Sequence, residues 1–313
     1  MPTRKEFEKI QKTTDLNLEL LEKVYHLTKI LNEIQKHTSL KENLTLKGGT
    51  ALNFLYLKIP RLSIDLDFDF TGKVPKEEMI TQRLELEIEI NEIASRLEYK
   101  INDRGSSYII SRQSLQYHTT RNTKDHVKVE INYLDRMPLG NIDIKKFPSI
   151  FPDIAAFSVP TYSIEELIAQ KSTACLIRSE PRDIYDLYIL SKQKMSIEQT
   201  RTFATIYLCM SANNNEIDIS KIKQFNPVKI QQELQQFIRN SERLDSKIIR
   251  ENTSIFLEKI LKFNKKQQKF IDAFFKENKI LPELVDIADI KLKQHPALLH
   301  KLRKEQLRRK STE

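Results

Sequence analysis

Apolar residues in the first part of the chain recur at helical spacing. Within residues 5–37 they follow one another at intervals of four and three, from Leu20 to Ile34, which predicts one long helix or two. After residue 60 the period changes to two, because apolar and polar residues alternate strictly from Ser63 to Phe70. That alternation predicts a β-strand with one apolar and one polar face.

The remaining pattern predicts a mixed α/β region followed by a helical one. A short strand at 44–47, two glycines and a short helix at 50–57 precede the alternating strand, and a helix at 76–97 with strands at 108–111, 113–119 and 127–134 follows it. Prolines from Pro138 to Pro160 predict a loop. Helices are predicted at 163–178, 181–191, 196–210, 228–239, 245–262, 265–277 and 281–309. We therefore predict an α/β domain at 1–155, including the N-terminal helices, and a helical domain at 156–313.

Composition and charge narrow the choice of partner and compartment. The 313 residues carry a net charge of +9, which favours a polyanionic partner such as nucleic acid. The basic run at 301–310 is interpreted as a solvated helix end, with RNA contact as the alternative. Cys175 and Cys209 form no disulfide or zinc pattern, so a reducing cytoplasm is expected. The first residues lack an apolar core of signal-peptide length and no run of about 18 apolar residues occurs, so we expect neither export nor membrane association.

Carboxylates on the alternating strand are the first candidate for chemistry. Asp65, Asp67 and Asp69 share the polar face, and Glu130 occupies the polar face of the strand at 127–134. Carboxylate oxygens are the ligands that Mg²⁺ prefers, so Asp65, Asp67 and Glu130 are predicted to bind metal. Asp69 lies about 13 Å along the strand from Asp65 and is left out of the predicted cluster. The alternative is that the strand is charged because it faces water.

A glycine pair supplies the second candidate. Gly48, Gly49 and Thr50 stand directly before a predicted helix, where backbone N–H groups approach a phosphate without obstruction by Cβ. They are predicted to bind the β- and γ-phosphates of a nucleoside triphosphate. The alternative is an ordinary turn.

A lysine interrupts an apolar stripe in the first predicted helix of the helical region. Lys171 follows Ile164, Leu167 and Ile168 on one helix face. A buried ammonium group requires an anion, either a triphosphate or an acidic partner, unless the side chain extends to solvent.

Two aspartates in the next helix are further candidates. Asp183 and Asp186 share a helix face, although Asp183 also suits the first turn of a helix. Arg178 and Arg182 are expected either to pair with these acids or to contact phosphate.

Four segments together resemble a known family. They are LKGGTAL at 46–52, RLSIDLDF at 61–68, ELIAQK at 166–171 and RSEPRDIYDL at 178–187. In order and spacing they are similar to the motifs of the AbiEii/AbiGii-type toxin nucleotidyltransferases, which belong to the DNA polymerase β-like superfamily. The resemblance covers about residues 44–190.

The resemblance implies a fold, an activity and site residues. It implies an α+β fold, with a polymerase β-like domain built on a small mixed sheet and a C-terminal helical bundle. It adds Arg61, Ser63, Lys171 and Asp183 as nucleotide-binding residues, and it places Lys171 and Asp186 with Asp65 and Asp67 as catalytic residues.

The resulting hypothesis is two-metal transfer of a nucleotide from an NTP to an acceptor. The resemblance suggests an RNA acceptor such as a tRNA end, and a toxin of a toxin–antitoxin or phage-defence system with a cognate antitoxin. Two alternatives remain open from the residues. One is kinase-like phosphoryl transfer to protein or RNA, and the other is a non-catalytic module that binds a nucleotide or another anion.

Overall fold

The computed structural model describes residues 1–213 and 217–310, which divide into two compact units. The first unit comprises Met1–Arg136, Ile142–Tyr162 and Gln235–Glu242. The second comprises Met137–Asn141, Ser163–Leu234 and Arg243–Glu313, apart from the residues outside the described ranges. None of the described helices combines the length and the apolar composition that crossing a bilayer would require.

The first unit is built on a mixed sheet with helices. Its helices are α1 (Arg4–Thr14), α2 (Leu18–Lys36), α3 (Thr38–Asn43), α4 (Gly48–Thr50), which continues into a π-helical turn (Ala51–Tyr56), and α5 (Lys76–Arg96). Its strands are β1 (Leu44–Lys47), β2 (Asp65–Phe70), β3 (Lys100–Asp103), β4 (Ile110–His118), β5 (Lys124–Asn132), β6 (Ile142–Phe147) and β7 (Phe157–Tyr162). The predicted mixed α/β fold is therefore confirmed.

The sheet places β1 and β2 in its interior. The strand order is β3-β4-β5-β2-β1-β7-β6. β2 runs parallel to β5 and β1 parallel to β7, whereas the remaining neighbours are antiparallel. Leu66, Phe68 and Phe70 of β2 are fully buried, as are Leu27 and Leu31 of α2. The apolar face read from the alternation of β2 is thus the core face.

The second unit is helical. Its helices are α6 (Ile164–Arg178), α7 (Pro181–Leu190), α8 (Ile197–Ser211), α9 (Ser220–Lys223), α10 (Pro227–Leu234), α11 (Ser246–Ile260), α12 (Lys265–Glu277), α13 (Asp289–Lys293) and α14 (Pro296–Lys310), with a 3₁₀ turn at Pro282–Leu284. Local signals set several of these boundaries. The Ser163 side chain accepts from Glu166 N at the start of α6, and Pro181 occupies the first turn of α7, where its missing N–H is not needed.

The predicted loop at 138–160 was wrong. It contains β6 and the beginning of β7, which pair antiparallel with Ile144 opposite Pro160. Proline lacks a backbone donor, so its presence indicated a loop, and pairing with β6 and β1 is what makes the segment a strand. β7 also lies beyond the predicted boundary at residue 155, within the first unit.

Three other element predictions were wrong in their extent. The two strands predicted at 108–111 and 113–119 form the single strand β4. The helix predicted at 228–239 ends at Leu234, since residues 235–242 belong to the first unit. The helix predicted at 281–309 is a 3₁₀ turn, α13 and α14. Pro282 and Pro296 interrupt it because a proline inside a helix removes a hydrogen bond.

Candidate active site

The two predicted metal-binding aspartates lie on one face of β2. Asp67 is opposite Lys47 of β1 on one side and opposite Glu130 of β5 on the other. Asp65 and Asp67 are half-buried, whereas Leu66 between them is fully buried. The alternation of the strand therefore presents both carboxylates on the same face of an otherwise buried element.

The Gly48 turn packs directly against Asp67. Gly48 has a φ of +71°, and a Cβ at this position would lie 2.5 Å from Asp67 Oδ2. Both observations require glycine, because L side chains rarely adopt a positive φ and no side-chain atom fits in that space. The close approach of backbone and carboxylate makes the turn and β2 a single structural site.

Gly49 and Thr50 extend this contact to the residues that precede β2. A Cβ on Gly49 would lie 2.9 Å from Ser63 Oγ and 3.0 Å from Arg61 Nη2. Arg61 is only 2% exposed, and its Nη1 donates to the Leu62 carbonyl oxygen at 2.9 Å. The Thr50 hydroxyl donates to the Asp65 carbonyl oxygen at 2.6 Å. The structure thus brings together the predicted phosphate-binding turn, Arg61, Ser63 and the start of β2.

Asp69 lies on the same face but in a closed environment. It is fully buried, its Oδ1 lies 2.5 Å from Lys47 Nζ, and its Oδ2 accepts from the Tyr162 hydroxyl at 2.7 Å. Burial alone lowers the pKa of Lys47, but the nearby carboxylates of Asp69, Asp135 and Asp67 outweigh burial and raise it. Lys47 therefore stays protonated. Burial raises the pKa of Asp69 to about 7 although Lys47 and the Tyr162 hydroxyl lower it, and these contacts hold β1, β2 and β7 together.

Glu130 forms no metal-binding cluster with Asp65 and Asp67 in the described part of the chain. Its Oε2 accepts from Arg112 Nε at 2.6 Å, and the two residues are opposite each other in the β4–β5 pair. Within residues 1–213 and 217–310, no three His, Cys, Asp or Glu side chains are arranged as a metal site. Glu130 lies beside Asp67 in register, so its assignment as a metal ligand stays a prediction.

The predicted residues of the helical region form a buried ion cluster in the second unit. Lys171 is 7% exposed, and its Nζ lies 2.9 Å from Asp183 Oδ1 and 3.1 Å from Asp186 Oδ2. Arg178 donates to both oxygens of Asp183, at 2.6 and 2.9 Å. Burial alone raises the pKa of Asp183, but Lys171 and Arg178 outweigh it and hold that pKa well below its usual range. Of the alternatives for Lys171, an acidic partner is the one observed.

Sequence reasoning missed several residues that support the site. Lys47 and Tyr162 hold Asp69, Arg112 holds Glu130, and Asn53 Nδ2 donates to the Gly49 carbonyl oxygen at 2.9 Å. Lys47 could have been identified from the sequence, because it is the one charged residue of the predicted strand at 44–47. Tyr162 and Arg112 carried none, because their partners are distant in sequence.

In this fold a glycine turn before a helix packs against a strand that carries alternate aspartates. The family model described as "Nucleotidyl transferase AbiEii toxin, Type IV TA system" matches residues 29–276. The chain belongs to the AbiEii family. It is therefore a nucleotidyltransferase toxin of the type IV toxin–antitoxin class, and family membership implies an NTP substrate and an antitoxin partner.

Solved structures share the fold. MenT4, a nucleotidyltransferase toxin from Mycobacterium tuberculosis H37Rv, is 14% identical with a TM-score of 0.70, and the alignment covers 94% of this chain and 99% of MenT4. JHP933 from Helicobacter pylori is 20% identical with a TM-score of 0.50, and the alignment covers 83% of this chain and 99% of JHP933. At these identities the similarity establishes the fold alone. No curated protein matches the sequence.

Proposed function

We propose that this nucleotidyltransferase transfers a nucleoside monophosphate from an NTP to an RNA acceptor, such as a tRNA end, in a Mg²⁺-dependent reaction. The observation that carries the proposal is the contact between the Gly48 turn and Asp67. Through it the backbone that is predicted to bind phosphate lies beside one of the two predicted carboxylate ligands. Two buried free thiols, Cys175 and Cys209, support a cytoplasmic setting, where the toxin would meet RNA, an antitoxin or invading phage.

The donor set fits a divalent cation. Asp65 and Asp67 offer hard oxygen ligands from one face of β2, and both residues are only half-buried. Asp65 and Asp67 would hold Mg²⁺ in the two-ion arrangement, with Glu130 as a further ligand. When bound, Mg²⁺ supplies positive charge against the phosphate oxygens.

The other predicted residues would bind and orient the nucleotide. The backbone N–H groups of Gly48, Gly49 and Thr50 would bind the β- and γ-phosphates. The Thr50 hydroxyl, which donates to the Asp65 carbonyl oxygen, would keep this turn in place beside β2, together with Arg61 and Ser63. Lys171 would neutralise charge on the departing pyrophosphate, and Asp183 and Asp186 would hold its ammonium group in position.

Labelled nucleotides test the reaction. Purified protein is incubated with Mg²⁺, total RNA and each of the four NTPs, labelled at the α- or the γ-phosphate. We expect label in RNA from the α position only. Label that enters RNA or protein only from the γ position would instead establish a phosphoryl-transfer enzyme, and no label from either position would favour a binding module.

Substitutions on β2 distinguish a proposed metal ligand, Asp67, from a residue that only stabilises the sheet, Asp69. In Asp67→Asn we expect transfer to fall at least about 100-fold with the fold retained, because a ligand of the Mg²⁺ that stabilises the transition-state charge is lost. Asp69→Asn is the matched control on the same strand face. It should retain transfer but lower the free energy of unfolding by about 3 kcal/mol, since Lys47 loses its buried partner. Full activity in Asp67→Asn would overturn the assignment.

A further inference from the structure

The positive charge of the chain is concentrated in its last part. Residues 243–313 contain 18 Lys and Arg and 10 Asp and Glu, a net charge of +8 out of +9 for the whole chain. The first 242 residues are therefore almost neutral as a whole. An RNA-binding surface held by charge is expected in this last part.

Within this last part, the charged residues at and just before the start of α12 are all lysines. Lys262, which precedes α12, and Lys265, Lys266 and Lys269 in its first two turns are all exposed, and they are here called the α12 lysine set. No acidic residue occurs between Lys259 and Ile271. This differs from an ordinary solvated helix face, on which charges of both signs alternate.

The ammonium groups of the α12 lysine set are available to a ligand. Within the described ranges none of the four belongs to an ion pair, whereas Lys276, farther along the same helix, lies 3.2 Å from Asp272. Lysines that are already paired lose those partners when they bind phosphate. Unpaired lysines only release counterions, which favours binding.

The helix that carries the set is firmly held. The Asn264 side chain accepts from Gln267 N, and the Gln267 side chain accepts from Asn264 N, so the first turn of α12 is closed by a capping box. Phe270 and Phe274 on the opposite face are fully buried. The three lysines within α12 therefore project from a fixed backbone, and only their side chains must be ordered on binding.

The surroundings favour RNA over a protein or a membrane. No large apolar side chain is exposed among residues 259–280 of the described chain. Protein interfaces are anchored by buried aromatic and apolar side chains, and membrane-surface helices insert an apolar face. A phosphate backbone needs only the positive charges.

We propose that the α12 lysine set binds the phosphate backbone of the acceptor RNA. The inference rests on the proposed RNA acceptor and adds where that acceptor is held. These contacts go to phosphates, so they contribute affinity and not base specificity.

The test compares two quadruple variants of equal charge. One replaces the lysine set (K262Q, K265Q, K266Q and K269Q), and glutamine preserves helix propensity. The control (K5Q, K9Q, K12Q and K41Q) removes the same charge from exposed lysines of the first unit. Binding of fluorescein-labelled unfractionated tRNA is measured by anisotropy over a range of salt concentrations, alongside binding to vesicles containing phosphatidylserine.

We expect the lysine-set variant alone to lose affinity. Four phosphate contacts at about 0.7 to 0.9 each lower the slope of log K against log salt by about 3, and affinity at low salt falls by at least about tenfold. Equal losses in both variants, no loss in either, or a loss confined to the vesicles would overturn the proposal.

The same samples separate this inference from the proposed function. They are assayed for transfer of label from α-labelled NTP to the tRNA. If wild-type protein binds tRNA through the lysine set but transfers no nucleotide, the proposed reaction is refuted and the RNA-binding role of the lysine set is retained. A lysine-set variant that transfers nucleotide with the KM for tRNA of the control would refute the surface and leave the reaction standing.

Discussion

At the residue scale, two independent features of the structure require glycine at position 48. Its backbone is in the left-handed region, and its Cα lies against the Asp67 carboxylate. The first requirement concerns stability and the second concerns the position of a candidate metal ligand. The two are separable because another glycine of this unit has only the first.

Gly48→Ala should abolish nucleotide transfer, and Gly105→Ala should not. Both glycines have positive φ, +71° and +86°, so the backbone strain of each alanine costs about 1 kcal/mol of stability. Only at Gly48 does the new Cβ meet Asp67 Oδ2, whereas a Cβ on Gly105 would have no atom within 4 Å apart from its chain neighbours. Thermal unfolding and α-label transfer are measured on both. Equal activity in the two variants would show that the contact with Asp67 is unimportant.

At the element scale, the packing of α6 on α7 depends on charge as well as on apolar contacts. Lys171 of α6 is buried against two carboxylates of α7. A buried ammonium group is stabilised only while those carboxylates are ionised. The stability of this helix pair is therefore linked to pH.

Asp183→Asn should lower the free energy of unfolding, and the difference from the wild type should become smaller at acidic pH. The folded-state pKa of Asp183 is lowered, so its contribution is fully present above the unfolded value of about 3.9 and is lost as pH falls through the folded value. We expect a loss of about 3–5 kcal/mol at pH 7, which diminishes below about pH 4.

Denaturant unfolding of both proteins from pH 7 to pH 3 measures this difference. Arg178→Gln is the control, and it should cost about 1 kcal/mol or less because the Arg178 side chain is 56% exposed. A difference between Asp183→Asn and wild type that stays constant down to pH 3 would contradict the linkage.

At the scale of the whole molecule, ligand binding should be visible as stability. An NTP that binds only the folded protein stabilises it by about 2.7 kcal/mol at 100 times its Kd. We expect the unfolding temperature to rise with NTP and Mg²⁺ together, and the rise to disappear with EDTA or in Asp67→Asn. A full shift in EDTA would show that the nucleotide binds without the cation.

The sequence by itself determined the features that depend on neighbours along the chain. The period-two pattern at Ser63–Phe70 predicted β2 and its buried face, and Ser163 and Pro181 predicted where α6 and α7 begin. Lys171 and Asp183 are only 12 residues apart, so an acidic partner was within reach of sequence reasoning. Hydrogen bonds within a helix and alternation along a strand are local, which is why pattern suffices for them.

Only the tertiary structure decided which segments become neighbours. β6 and β7 were not predicted from the sequence, because the prolines indicated a loop. These segments are strands because β6 pairs with β7 and β7 pairs with β1. The partner of Asp69, Tyr162, is 93 residues away, and Arg112 holds Glu130 through strand register. Such contacts depend on sheet order, and one sequence contains no local signal for it. The carboxylate pair on β2 and the exclusion of Asp69 from it were predictable from the chain. The packing of the pair against Gly48 and the burial of Asp69 against Lys47 and Tyr162 were decided by the fold.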